Sequence, residues 1–347
     1  MGPACATVLC SASKYNLLVA DIDGGNVGLI KTSSYQDMTH PRVSNDKNWV
    51  AYTTYNNLNS NQCASLDTGY LNTEIRAVRL TGVDDRRIIS PVATEFNSNN
   101  YWLSSTNEFT YLSGPVNALK FYRVILDSNM VVSAGPSQIP VSGTIPVPVD
   151  PQANLAVNKI VYPGLYNPGG GFIKSIFMMD LSDSSNLVGL SVGRDHAGAP
   201  IICATAECLN IMENDPKISP DGTKVAFMRQ APSSGVNGFG WHIFVVPVSS
   251  PQMEVDISYS YLGSDIYKND VLPEWIDNDT IIFSTIEITS VSSVAKNVYT
   301  MKGDGTQRTK ISLPSGFRYA DVFPFVDSSG NQRMILSAEK IGVTCSQ

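Results

Sequence analysis

The strongest constraint on how this chain folds is an internal repeat whose two halves are out of phase at the chain ends. One half-unit is a strand marked by Pro or an aromatic residue, a turn of Ser, Asp, Asn and Gly, and a β-branched or aromatic strand. It reads HPRVSNDKNWVAYTT from His40, DPKISPDGTKVAFMR from Asp215 and LPEWIDNDTIIFSTI from Leu272, with degenerate copies from Asn100, Val147 and Phe323. A second half-unit alternates with it, as in NLLVADIDGGNVGLI, EIRAVRLTGVDDRRII, KFYRVILDSNMVVSA, SIFMMDLSDSSNLVGL, HIFVVPVSSPQMEVDI and NVYTMKGDGTQRTKI. Alternating apolar runs of this length between turn residues are strand signals. Each pair of halves supplies four strands, a to d, and repetition on that scale predicts a radial array of blades.

The phase predicts closure. The chain opens with a c–d half from Tyr15 and ends with an a–b half reaching about Gly342. The last a–b hairpin is therefore expected to pair with the first c–d hairpin, which removes the exposed edges of an open array. The expected fold is all-β, a six-bladed β-propeller with four-stranded blades, its last blade joining residues 318–342 to 15–37. The expected domain organisation is an N-terminal segment 1–14 tied by a disulfide, one propeller over 15–342, and a tail over 343–347.

DPKISPDGTKVAFMR followed by IFVVPV, together with IFMMDLSDSSN and VYTMKGDGTQRTKI, resembles the TolB-like propeller repeat, with its Ser-Pro-Asp-Gly turn before an Ile-Ala-Phe strand. The resemblance covers 15–342 by pattern, and the 214–229 copy is the fullest. SSTNEF and DPQANLAVN replace the Pro-Asp-Gly turn in the third and fourth copies. The resemblance implies a fold and not a function, because the motif residues make turns and pack blades.

Composition excludes several classes. The 24 Lys and Arg against 31 Asp and Glu, a net charge of −7, leave no basic stripe for a phosphate backbone, so nucleic acid is not an expected partner. No apolar run is long enough to span a membrane. The opening MGPACATVLC has neither a basic segment nor an apolar core, so it does not read as a secretory leader. Export is argued from six cysteines: Cys5, Cys10, Cys63, Cys203, Cys208 and Cys345. They are even in number, expected outside the strands, and without a CxxC pair, a pattern that favours disulfides over zinc. Cys203 and Cys208 are expected to pair locally, and Cys5, Cys10, Cys63 and Cys345 to form two further bridges near the closure. The expected location is extracellular or periplasmic.

The site is expected on the side of the b–c and d–a connections, where the long segments 55–72, 163–173, 195–213, 230–240, 262–269 and 286–296 fall, whereas the a–b and c–d turns are terse. Residues of the first strands at this mouth are His40, Arg42, Asn100, Tyr101, Asp215, Lys217, Asp270, Glu274 and Asp321. Mixed charge beside aromatic faces suits a glycan, a peptide terminus or a cation. The competing reading is that these groups cap strand ends and fill the channel with water-bridged pairs. His40, His196 and His242 lack metal-site spacing, DIDGGN lacks the carboxylate at position 12 of a calcium loop, and no GxSxG elbow occurs. No catalytic residue, metal or cofactor is expected. The expected function is a non-catalytic binding module, a monomeric propeller that recognises a protein or glycan through the long-loop face and the channel mouth. The alternatives are a carbohydrate-active lyase or glycosidase using acids such as Asp215 and Asp321, and a structural domain of a larger secreted assembly.

Overall fold

The computed structural model describes residues 9–10, 15–33, 37–55, 73–91, 96–102, 107–115, 120–139, 152–154, 157–166, 173–183, 186–191, 213–232, 239–251, 253–262, 268–290, 293–342 and 345–346. A two-residue strand β1 (Leu9–Cys10) is followed by β2 (Tyr15–Asp21) and β3 (Gly28–Ser33). The first sheet is β4 (Asp37–Val43), β5 (Trp49–Tyr55), β6 (Thr73–Arg79) and β7 (Arg86–Ile89); the second is β8 (Phe96–Trp102), β9 (Glu108–Gly114), β10 (Lys120–Leu126) and β11 (Val132–Gln138). The third is β12 (Gln152–Asn154), β13 (Lys159–Tyr166), β14 (Ile173–Asp180) and β15 (Leu187–Gly189). The fourth is β16 (Glu213–Ile218), β17 (Lys224–Pro232), β18 (Phe239–Pro247) and β19 (Val255–Asp256). After the short helix α1 (Tyr259–Leu262), the fifth is β20 (Lys268–Trp275), β21 (Thr280–Ser290), β22 (Ser293–Lys302) and β23 (Thr309–Lys310). The chain ends with β24 (Phe317–Val326), β25 (Gln332–Lys340) and β26 (Cys345–Ser346).

Six four-stranded antiparallel sheets result, and the fold is a six-bladed β-propeller. The closing sheet runs β24-β25-β2-β3, with Tyr15 opposite Glu339 and Asp21 opposite Arg333. Closure by exchange of the chain ends is therefore as the phase predicts. Two compact units are present: 1–102, 106–137 and 312–347, holding the closing, first and second sheets, and 103–105 and 138–311, holding the third to fifth.

Each seam between sheets within a unit is an apolar layer. Leu17, Ile30, Met38, Val50, Tyr52 and Ile335 fill the one between the closing and first sheets. Val161, Ile176, Ile218, Phe227 and Phe244 fill the one between the third and fourth. Full burial of such side chains stabilises by about 1.5–3 kcal/mol each.

The repeat's turn residues have a local task. In Ser219-Pro-Asp-Gly the Ser219 hydroxyl donates to Asp221 (2.6 Å) and accepts from the Lys224 amide (3.0 Å), while Asp221 accepts the Thr223 amide (3.0 Å). Ser44 and Asp46 do the same for Trp49 and Asn48. Gly222 has φ +74°, and a Cβ there would lie 2.6 Å from the Val157 side chain of the neighbouring sheet. Both the left-handed backbone and the close approach require glycine. In DIDGGN, Asp23 accepts the Gly25 amide (2.9 Å) and Asp21 pairs with Arg333 (2.8 Å), so these carboxylates serve the turn and the adjoining strand.

Two expectations are corrected. The segment 286–296 is not a long loop: β21 and β22 extend until Ser290 faces Ser293, because TIEITSVSSVAK is β-branched enough to continue the ladder. Cys10 and Cys345 do not lie outside the strands; they belong to the small β1–β26 ribbon. Cys5, Cys63, Cys203, Cys208, His196 and most of the segments 55–72 and 195–213 lie outside the described residues.

Candidate functional site: bulged first strands and the ion pairs around them

Among the described residues, five first strands carry a one-residue bulge at the same place. Between Thr39 and Arg42 β4 advances three residues while β5 advances two, and the same slip occurs between Ser98 and Tyr101, Asn214 and Lys217, Val271 and Glu274, and Tyr319 and Val322. His40, Asp215 and Leu272 take the first bulge position with φ of +51°, +51° and +57°. His and Asp tolerate this region better than most residues, whereas Leu does not. Recurrence with a residue as unsuited as Leu272 marks the bulge as architecture of the blade; what varies is the chemistry mounted on it.

Most of the residues singled out from the sequence map onto this device. His40, Asn100, Asp215 and Asp321 sit in bulges, and Arg42, Tyr101, Lys217 and Glu274 follow immediately after. For Asn100 and Tyr101 the structure describes the backbone alone. Asp270 lies two residues before its bulge. Arg42, Asp215, Lys217, Asp270, Glu274 and Asp321 are buried, and His40 is half-buried.

In the first unit, the Asp321 carboxylate accepts the His40 amide at 3.1 Å, so one blade caps the N–H that its neighbour's bulge turns out of the ladder. The His40 ring lies 3.1 Å from the Thr39 hydroxyl. The Arg42 guanidinium stacks on Phe323 at 4.8 Å and donates to the Pro41 carbonyl (2.9 Å), and the Trp102 indole donates to the Arg42 carbonyl (3.1 Å). In the second unit, Lys217 is fully buried, hydrogen-bonded to Asp215 and 3.7 Å from Glu274. The Trp275 indole donates to the Lys217 carbonyl (2.9 Å), repeating the Trp102 contact. Arg42 and Lys217 thus occupy equivalent posts, each held by the tryptophan of the next blade.

Asp270 belongs to a second repeated device along the seams. The Ser258 hydroxyl accepts the Ile243 amide (3.0 Å) and donates to Asp270 (2.8 Å), which also holds Arg308 and the Thr285 hydroxyl. One blade earlier the Ser191 hydroxyl accepts the Ile176 amide (2.9 Å) and donates to Glu213, which pairs with Arg229. Arg229 also holds Glu254 at 2.7 Å and stacks on Phe244 at 4.3 Å. Burial pushes the Glu213 carboxyl above the usual glutamate range, against the pull of Arg229. Sequence reasoning missed Ser191, Glu213, Arg229 and Glu254. Their signal was Glu213 aligned two residues before its bulge, as Asp270 is.

His242 is buried, with Nδ1 2.7 Å from Asp256, whose other oxygen accepts the Ser258 and Tyr259 amides at the start of α1. Among the described residues, no group of three or more His, Cys, Asp or Glu is placed to hold a metal ion. Among them, too, no helix is long and apolar enough to cross a membrane.

No protein-family model matches the chain, and no curated protein sequence matches it. Solved structures do. An oligogalacturonate lyase from Vibrio parahaemolyticus aligns over 91% of this chain and 76% of its own at 10% identity and a TM-score of 0.51. A chain of a nidogen–laminin complex aligns over 86% and 94% at 7% and 0.52, and an oligogalacturonate lyase in complex with manganese over 92% and 81% at 11% and 0.50. At these identities the likeness is one of fold.

Proposed function

We propose that this protein is an exported, non-catalytic recognition module of TolB-like kind that binds a protein or glycan partner through the side carrying its b–c and d–a connections. The observation that supports the non-catalytic reading is the commitment of the candidate acids. Asp215 is hydrogen-bonded to Lys217, Asp270 grips Arg308 through both oxygens, and Asp321 caps the His40 amide. Glycoside chemistry needs one carboxyl poised to give a proton and another facing the sugar or water. Carboxylates tied this way instead stiffen a platform, and a rigid platform lowers the ordering cost of binding. Export rests on the six cysteines, and TolB-like kinship on the 214–229 copy of the repeat.

The carbohydrate-active reading is the second arm, because two of the solved propellers of like fold are oligogalacturonate lyases. The test uses His40→Asn, which keeps a residue tolerant of positive φ, and Asp304→Ala in a c–d turn as control. On a glycan array and in pull-downs, His40→Asn should weaken binding at least about tenfold, or ~1.4 kcal/mol, with an unchanged melting profile, and Asp304→Ala should leave binding intact. Release of reducing ends or unsaturated uronides from polysaccharide by the wild type would overturn the non-catalytic reading. Equal loss in both variants would overturn the placement of the site.

A further inference from the structure

We propose that Cys10 and Cys345 form a disulfide that clasps the two chain ends outside the closing sheet. The ladder that joins β25 to β2 reaches Tyr15 opposite Glu339, and beyond it the chain ends meet again as β1 and β26. In that second ribbon Leu9 faces Ser346 and Cys10 faces Cys345. Residues directly opposite in an antiparallel pair have Cα atoms about 4.5 or 5.5 Å apart. Both values lie inside the roughly 4.4–6.8 Å that a disulfide spans. Of the six cysteines, these two are the ones the backbone register sets face to face among the described residues.

A two-residue ribbon is too short to persist by its own hydrogen bonds. A covalent link across it supplies what the ladder does not, and it encloses nearly the whole propeller, from residue 10 to residue 345. In the oxidation each thiol loses its proton, one S–S bond forms, and the two electrons reduce a small-molecule disulfide to two thiols. The bond constrains the unfolded chain far more than the folded one, because the folded backbone already holds the ends together. It also assigns the closure to one pairing and leaves Cys5 and Cys63 outside it.

The test is peptide mapping of the full chain refolded in a glutathione buffer rich in the disulfide form. Cleavage after Lys14 and Lys340 yields segments 1–14 and 341–347, the first containing both Cys5 and Cys10 and the second Cys345. The linked pair 1–14/341–347 is expected in the wild type and in Cys5→Ser, and fragmentation should place the bridge on Cys10. It should disappear in Cys10→Ser. Cys345 joined to Cys63 or Cys5, or Cys10 and Cys345 both open to alkylation in the wild type, would overturn the proposal. If Cys10→Ser fails to fold, the Cys5→Ser map alone decides it.

Discussion

Strands β4 and β16 carry the same bulge with different contents. In β4 the bulge presents His40 and is followed by Arg42, spread over the face of Phe323; in β16 it presents Asp215 and is followed by Lys217, enclosed between two carboxylates. Two residues upstream the contrast repeats, with the apolar Met38 facing Thr54 in β4 and Glu213 facing Arg229 in β16. One backbone device therefore accepts an apolar-and-stacking solution or a fully ionic one. The difference lies in what each leaves behind when a side chain is removed.

Lys217→Met tests that most severely. Removing the cation takes the Lys217 ammonium away from the buried Asp215 and Glu274 carboxylates, and breaking a buried pair in this way costs about 3–5 kcal/mol. Chemical denaturation of wild type and variant would show it. In an Asp215→Asn, Glu274→Gln background the same change should cost much less, because the two negative charges facing the lysine are gone. Equal losses in both backgrounds would mean that packing, not charge, sets the β16 bulge.

In β4 the exposed point is the His40 amide. Asp321→Ala leaves that partly buried donor without its acceptor, a loss of about 1–3 kcal/mol. Asp321→Asn keeps a carbonyl oxygen at the same reach and should recover part of it. Equal destabilisation by the two, measured as denaturation midpoints, would break the capping role.

The smallest effect concerns pH. Because burial raises the Glu213 carboxyl above its ordinary value of 4.5, the folded state holds that proton more tightly than the unfolded chain. Its contribution to stability is fully present below 4.5 and is lost as pH rises through the raised folded value. Glu213→Gln cannot titrate, so its stability should fall less, or rise more, than that of the wild type between pH 4.5 and neutrality. Parallel profiles would show that Arg229 and Ser191 hold the carboxyl at its ordinary value.

The positions around the bulges were legible as positions and not as roles. A Pro following His40, Asp215 and Leu272 marks the same point in three strands, which is why residues as different as Arg42, Lys217 and Glu274 could be set side by side from the sequence. Burial was not legible, since a charge beside a strand-like run reads as the rim of a site until its partner is known. Lys217 shows this: its second carboxylate, Glu274, lies in the next blade. The role of Glu213 was hidden for the same reason, because Ser191 reaches it from the preceding blade and Arg229, itself held by Glu254, from the adjoining strand.

Period, alternation and phase already set the number of blades, the order of strands, the turns at Ser44, Asp46, Ser219, Asp221 and Gly222, and the closure of 318–342 onto 15–37. The blades, strand order and turns follow from the period, the alternation and hydrogen bonding between residues a few positions apart, and the closure from the phase of the repeat at the two chain ends. It takes the packed blades to show that Asp321 caps His40, that Trp102 and Trp275 hold the carbonyls of Arg42 and Lys217, and that Cys10 faces Cys345. Those relations join residues 58 to 335 positions apart. The pairing of groups so distant is set by how blades pack and close, which no local pattern encodes.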